Sequence, residues 1–326
     1  MIRDAGKLVH FFILALVVPT LLAGCGAAPT NGTVLQPAAS STAAQSSTAQ
    51  TVLASATARP TPIARTNNPK DLILSTTTST QDSGLLDVLI PQFEQQTGYH
   101  VKTVAVGSGA AIGLGQRGEA DVVLAHAPEN ERQFVAAGTG VDRQLVMFND
   151  FILVGPADDP AKVHGTSDIT AALKAIAASK TTFISRGDKS GTDQIEKKLW
   201  KDAAVKPQGQ AWYVESGSGM GQTLQIADQR HAYTISDRAT YLAFKARVAL
   251  ALDVEKDPQL LNVYHVIAVN PQRFPQVNKD GAQLFLKFLL APPTQQLIGS
   301  FGKEKYGQQL FTPCAQNNCH LPNPDG

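Results

Sequence analysis

The chain has 326 residues, more than one ordinary compact domain needs, and its 28 Lys and Arg against 27 Asp and Glu leave a formal net charge of +1. Charges of both signs are interspersed and Lys and Arg form no run, which excludes a basic nucleic-acid surface. Any anion site must therefore be local.

Residues 1–25 read as a lipoprotein signal peptide. Arg3 and Lys7 precede an apolar stretch from Phe11 to Leu22 that is too short to span a bilayer as a helix. Leu22-Ala23-Gly24-Cys25 resembles the lipobox before which bacterial lipoproteins are cut, implying lipidation of Cys25. Diacylglycerol with a further acyl chain would then anchor the protein to the cell membrane without a spanning helix. The expected location is extracytoplasmic, facing a periplasm or at the cell surface. Residues 26–69 are rich in Ala, Ser, Thr and Pro and poor in charge and large apolar side chains, so they read as a flexible tether.

From Lys70 onward strand and helix signals alternate, predicting an α/β fold on mainly parallel sheets. Leu72-Ile73-Leu74 is a buried strand, followed by Ser75 to Thr80 and a helix whose stripe is Leu85, Leu86, Val88, Leu89 and Phe93. Val101 to Val106 is a strand ending in Gly107-Ser108-Gly109, and Asp121 to Ala125 is another. Phe151 to Val154 closes on Gly155-Pro156, and Phe183-Ile184-Ser185 empties into Arg186-Gly187-Asp188-Lys189-Ser190-Gly191-Thr192. Ala232 to Ile235, Val263 to Val269 and a helix through Leu284, Phe285, Phe288 and Leu289 complete the pattern. Two α/β lobes joined by crossing strands follow: residues 70–150 begin lobe I, 151–262 form lobe II, and 263–326 return to lobe I and a C-terminal tail. In an oxidising compartment Cys314 and Cys319 are expected to form a disulfide that fastens the C-terminus, ahead of a metal site with His320.

Four loops share one design, in which a strand ends, Ser, Thr and Gly follow, and a helix begins. They are Thr76 to Ser79, Gly107 to Gly109, Ser190 to Thr192, and Ser216 to Gly221. Helix N-termini offer unpaired N–H groups and partial positive charge, hydroxyls add donors, and Gly allows close approach, so the set suits an anion. Taken singly, each loop is an ordinary cap or turn. Arg186 is the cation inside one such loop, able to give two parallel hydrogen bonds to an oxyanion or to pair with Asp188 or Asp193. Arg238, beside Asp237, is balanced between pairing and binding.

Other motifs fail on context. Gly113 to Gly118 matches G-x-G-x-x-G but ends a helix and precedes a strand, the reverse of a dinucleotide site. There is no G-x-S-x-G, H-E-x-x-H or P-loop lysine, and the His residues lack metal spacing, so no cofactor, metal or catalytic residue is expected. His126 reads as a core or hinge histidine.

Read together, the loops resemble the periplasmic or surface tungstate-binding proteins of the TupA type, which serve ABC importers. The resemblance runs from about Asp71 to Phe311. It includes Thr76-Thr77-Thr78-Ser79 with Asp82-Ser83-Gly84, Ala120 to Glu129, Asn149 to Pro156, Ser185 to Thr192, Gly219-Met220-Gly221 and Ala232-Tyr233-Thr234. It implies an α/β, two-lobed periplasmic-binding-protein fold, type II-like, with the ligand in the interlobe cleft. Thr78, Ser79 and Ser108 would line one face, and Arg186, Ser190, Gly191, Thr192, Gly219, Met220 and Gly221 the other. It further implies tungstate or molybdate as ligand and an ABC permease as partner, and a hinged receptor of this kind works as a monomer. Where the family pattern often has His after Ser-Gly-Thr, this chain has Asp193, an acid that weakens anion binding unless it faces away or pairs with Arg186 or Lys189.

Uncharged donors suit a fully deprotonated dianion, whereas phosphate rewards a carboxylate acceptor, for which Asp188 and Asp237 are available. Tungstate is preferred to molybdate on the resemblance alone. A phosphate receptor is one alternative; an extracytoplasmic hydrolase using Ser79 or Ser190 with His126 as base, and a sensory or adhesive lipoprotein, are more remote ones.

Overall fold

The computed structural model describes residues 65, 66 and 68–321. The expected signal peptide with Cys25, and the expected tether up to residue 64, lie outside the described residues. The far end of that tether departs from expectation. Arg65 Nη1 donates to Asp121 Oδ1 at 2.7 Å and Nη2 to the Gly118 carbonyl at 3.1 Å. The same buried carboxylate accepts the N–H groups of Ile73 and Asn278, so the chain is docked at Arg65 rather than free through residue 69.

The first elements are β1 (Asp71–Thr77), α1 (Thr78–Asp82), α2 (Leu86–Thr97), β2 (His100–Val106), α3 (Ser108–Gln116), β3 (Val122–Ala125) and α4 (Pro128–Ala136). Then β4 (Gly140–Gly155) leads to α5 (Ile169–Ser179), β5 (Phe183–Ser185), α6 (Gly191–Asp202), β6 (Tyr213–Glu215), α7 (Met220–Gln229), β7 (Thr234–Asp237), α8 (Arg238–Phe244) and β8 (Ala251–Val254). The chain returns through β9 (Leu261–Val269), α9 (Lys279–Leu290), α10 (Pro292–Ser300), α11 (Lys303–Tyr306) and β10 (Thr312–Pro313).

The larger sheet has the order β10-β4-β9-β3-β1-β2, with β7 and β8 also on β4; β5 and β6 form a separate pair. Only β1/β2, β1/β3 and β5/β6 are parallel among these pairings, which corrects the expectation of mainly parallel sheets. Strands buried on both faces read as continuous apolar runs whichever way their neighbours point, so the sequence pattern carries no direction. The 16-residue β4 is the long crossing strand: Gly140 to Asp150 pair with β9, and from Phe151 onward it pairs with β7 and β8.

Apolar packing separates at the same place along β4. Leu72, Leu74, Phe93, Tyr264 and Phe285 belong to one buried cluster, and Phe151, Leu153, Leu173, Phe183 and Trp200 to another. Phe93 packs edge-on to Phe285 with centroids 5.0 Å apart, as Phe183 does to Trp200 at 5.1 Å. In α9, Phe285, Phe288 and Leu289 of the predicted stripe are buried, but Leu284 is 38% exposed and Leu286 is buried in its place. Cys314 is disulfide-bonded to Cys319 and gives its N–H to the Val146 carbonyl, fixing the chain beside β4.

Replacing Phe93 by Ala is expected to lower the free energy of unfolding by about 3–5 kcal/mol, because Tyr99, Phe285 and Phe288 lose their ring contacts and a buried cavity is left. Urea denaturation followed by circular dichroism measures it.

Candidate functional site

The predicted loops meet where β1, β2, β5 and β6 end. Thr77 caps α1, its Oγ1 accepting the Thr80 N–H at 3.1 Å, and this turn sets Thr78 and Ser79 at the head of the helix. Ser190 caps α6 in the same way, with Oγ accepting the Asp193 N–H at 3.2 Å. Gly107 and Gly219 occupy the N-cap positions of α3 and α7 and offer no side-chain cap.

Arg186 leaves the end of β5 and is 1% exposed. Its Nη1 donates to Ser79 Oγ at 3.1 Å and its Nη2 to Thr78 Oγ1 at 3.0 Å, while Nη2 also meets the Asp188 carboxylate. Asp188 in turn accepts the Ser190 N–H at 3.1 Å. Among the described residues, Arg186 Nε and Thr192 Oγ1 are buried polar atoms without a hydrogen-bond partner. Ser108 Oγ accepts the Gly191 N–H at 2.9 Å, and the Gly109 N–H reaches the Lys189 carbonyl at 3.2 Å. A Cβ on Gly219 would lie 3.3 Å from Thr78 Oγ1, and Met220 beside it is fully buried. Thr78 and Ser79 thus meet Arg186, Ser108 meets Gly191 and Thr78 lies beside Gly219, while Ser190, Thr192, Met220 and Gly221 belong to the same two loops as these partners.

Two predicted residues have other partners. Arg238 gives bonds of 2.8 and 2.5 Å to Asp150 and a third of 2.6 Å to Glu255, pinning α8 to β4; these carboxylates hold its pKa above the ordinary arginine value. Asp193 accepts from Lys197 Nζ at 2.9 Å and from the Gly187 N–H at 3.1 Å, so its charge is matched by Lys197 rather than by Arg186 or Lys189.

Two long-range contacts were not legible in sequence. Asp82 Oδ2 accepts the Gly221 N–H at 3.2 Å, and Thr240 Oγ1 donates to the Ser79 carbonyl at 3.2 Å. Both contacts join segments more than a hundred residues apart, which no local spacing announces. Asp237 caps α8 through Oδ1, while its Oδ2 is buried without a partner. Burial pushes its carboxyl up to about 6, against the opposing pull of the Thr240 hydrogen bonds and Arg186.

His126 supports this arrangement from behind. Burial, with the Arg186 charge adding to it, lowers its pKa to about 4, so the ring is neutral at pH 7. Nδ1–H donates to Asn262 Oδ1 at 2.9 Å, because the Asn262 amide nitrogen is given to Asn149 and Tyr264. Nε2 then accepts from the Thr77 hydroxyl at 3.1 Å, holding the cap of α1. The ring stacks on Tyr264 at 4.7 Å. A Cβ on Gly191 would stand 2.4 Å from the His126 carbonyl oxygen, so only glycine allows α6 to start this close.

Comparison with known proteins bears on what such a site serves. A model of the PBP superfamily domain matches residues 37–293. The tungstate-binding protein TupA of Peptoclostridium acidaminophilum is 51% identical over 255 residues, covering 78% of this chain and 89% of that protein. The chain belongs to the TupA family of the PBP superfamily. Solved structures of this TupA kind agree with the fold. The tungstate ABC transporter structure from Geobacter sulfurreducens superposes with a TM-score of 0.67 at 47% identity, covering 72% of this chain and all of that one. TupA from Desulfovibrio alaskensis gives 0.64 at 44%, covering 75% and 99%.

Within this TupA-family chain, His126→Gln is expected to destabilise most at pH 7, with the gap to the natural protein narrowing by about 2 kcal/mol by pH 4.5. The unfolded chain takes up the His126 proton near 6.5 and the folded chain only near 4. The contribution of His126 is therefore complete above 6.5 and is lost as pH falls through 4. Urea titrations at pH 7, 5.5 and 4.5 measure it.

Proposed function

We propose that the cleft captures a tetrahedral oxyanion dianion, tungstate before molybdate, and that the protein presents it to the permease of an ABC importer. The observation that carries this reading is the buried guanidinium of Arg186, which reaches the Thr78 and Ser79 hydroxyls of the facing wall and keeps an unpartnered Nε, with Thr192 Oγ1 a second buried unpartnered group in the loop that follows. A dianion there would draw Arg186, Thr78, Ser79, Ser108, Ser190 and Thr192 as side-chain donors. Around it would stand the backbone N–H groups of Gly219 and Met220, those of Gly191 and Gly221 being given to Ser108 Oγ and Asp82. The preference for tungstate rests on the relatives named as tungstate-binding.

In this reading residues 70–150 with 263–326 form one lobe and 151–262 the other. The long β4 is one of the crossings, and the lobes close on the anion so that the permease recognises the closed form. The protein works as a monomer, held to the outer face of the cell membrane through lipid on Cys25, with residues 26–64 as the tether. It is a receptor and not an enzyme. In support, His126 Nε2 meets Thr77 rather than Ser79 or Ser190, and Ser190 Oγ is engaged as a helix cap. Phosphate is the competing ligand to test, because Asp237 Oδ2 is a buried acceptor near Arg186.

Isothermal titration with tungstate, molybdate, sulfate and phosphate tests the reading. Tungstate is expected to bind tightest, and Arg186→Ala to weaken it by at least about a hundredfold, the effect of removing one partner of a buried charge pair. Phosphate binding as tightly as tungstate, or tungstate heat unchanged in R186A, would overturn the assignment.

A further inference from the structure

We propose that Asp82 is a positioning residue of the anion cleft, its carboxylate capping the N-terminus of α7 from the opposite wall and thereby setting how fast a bound anion leaves. The inference rests on the cleft being an anion receptor and extends it to a residue that touches no ligand.

The chemistry begins with a missing cap. The helix α7 starts at Met220 behind Gly219, which has no side chain to accept from the first amides. Those amides are unsatisfied by the helix itself and favour a negative group. The half-buried carboxylate of Asp82, at the end of α1, supplies it: Oδ2 accepts the Gly221 N–H at 3.2 Å across 139 residues of sequence. The start of α7 is seated on both sides of this bond. Gly219 lies against Thr78, and a Cβ on Gly221 would stand 2.2 Å from the Phe244 ring. Thr78 is in turn a hydrogen-bond partner of Arg186. Releasing α7 from Asp82 therefore loosens the turn that closes over Thr78 and Arg186, while the anion's own donors remain in place.

A carboxylate here has two separable effects. Its lone pairs hold Gly221, and its charge stands within Coulombic reach of Arg186, opposing a bound dianion. Asp82→Asn keeps an acceptor oxygen without the charge, whereas Asp82→Ala removes both. If Asp82 acts through the hold, D82A releases anion faster and D82N restores slow release.

The test uses the full chain loaded with labelled tungstate, chased with excess unlabelled tungstate, alongside amide hydrogen exchange at Gly221. D82A is expected to release tungstate about tenfold faster, the loss of one charge-assisted hydrogen bond, and to exchange the Gly221 amide faster. D82N is expected to release within about threefold of the natural protein. Natural-rate release by D82A, or release by D82N as fast as by D82A, overturns the proposal. If D82A does not fold, Asp82→Ser, too short to reach Gly221, takes its place with the same expectation. If the natural protein retains no tungstate, the anion reading fails on that result alone. Exchange at Gly221 then decides the cap separately, with unchanged protection in D82A overturning it.

Discussion

A guanidinium removed from water must be surrounded by acceptors, and at Arg186 those acceptors come from two distant parts of the chain. Thr78 and Ser79 lie at the head of α1, while Asp188 lies in the loop that carries Arg186 itself. Each end of the contact is stiffened by a helix cap, Thr77 for α1 and Ser190 for α6. A shift of either helix start would leave the buried cation short of partners. That cost restricts the cleft to a few arrangements, the condition under which a ligand can select one of them.

The surrounding framework exists to hold helix starts against one another. Unbroken β4 carries the chain from one apolar cluster to the other, and β9 returns beside it. His126 sits at this join, its two ring nitrogens linking Asn262 on β9 to the Thr77 cap, with its carbonyl against Gly191. A neutral ring is what this geometry demands, since Nε2 has to accept while Nδ1 donates.

The acids near Arg186 are accommodated in different ways. Asp188 balances Arg186 directly, Asp193 is turned toward Lys197, and burial raises the Asp237 carboxyl to about 6. In the proposed reading, neutral donors and helix ends at this place would act at short range and reward a well-fitting tetrahedral oxyanion more than a merely negative one.

The sequence by itself determined where helices start and which residue types stand there, because caps, glycines and apolar periodicity are local properties of the backbone. The helix starts at Thr78, Ser108 and Gly191 were legible for that reason, as was the TupA-type pattern. It did not determine strand direction, since a doubly buried strand has the same composition in either sense. Nor did it place Leu284, whose face depends on what α9 packs against. Only the tertiary structure decided that Arg238 serves Asp150 and Glu255, that Asp193 serves Lys197, and that Asp82 reaches Gly221. Such pairings are set by distances in space between segments far apart in the chain, and side chains find them only once the long strand and its return have brought those segments together.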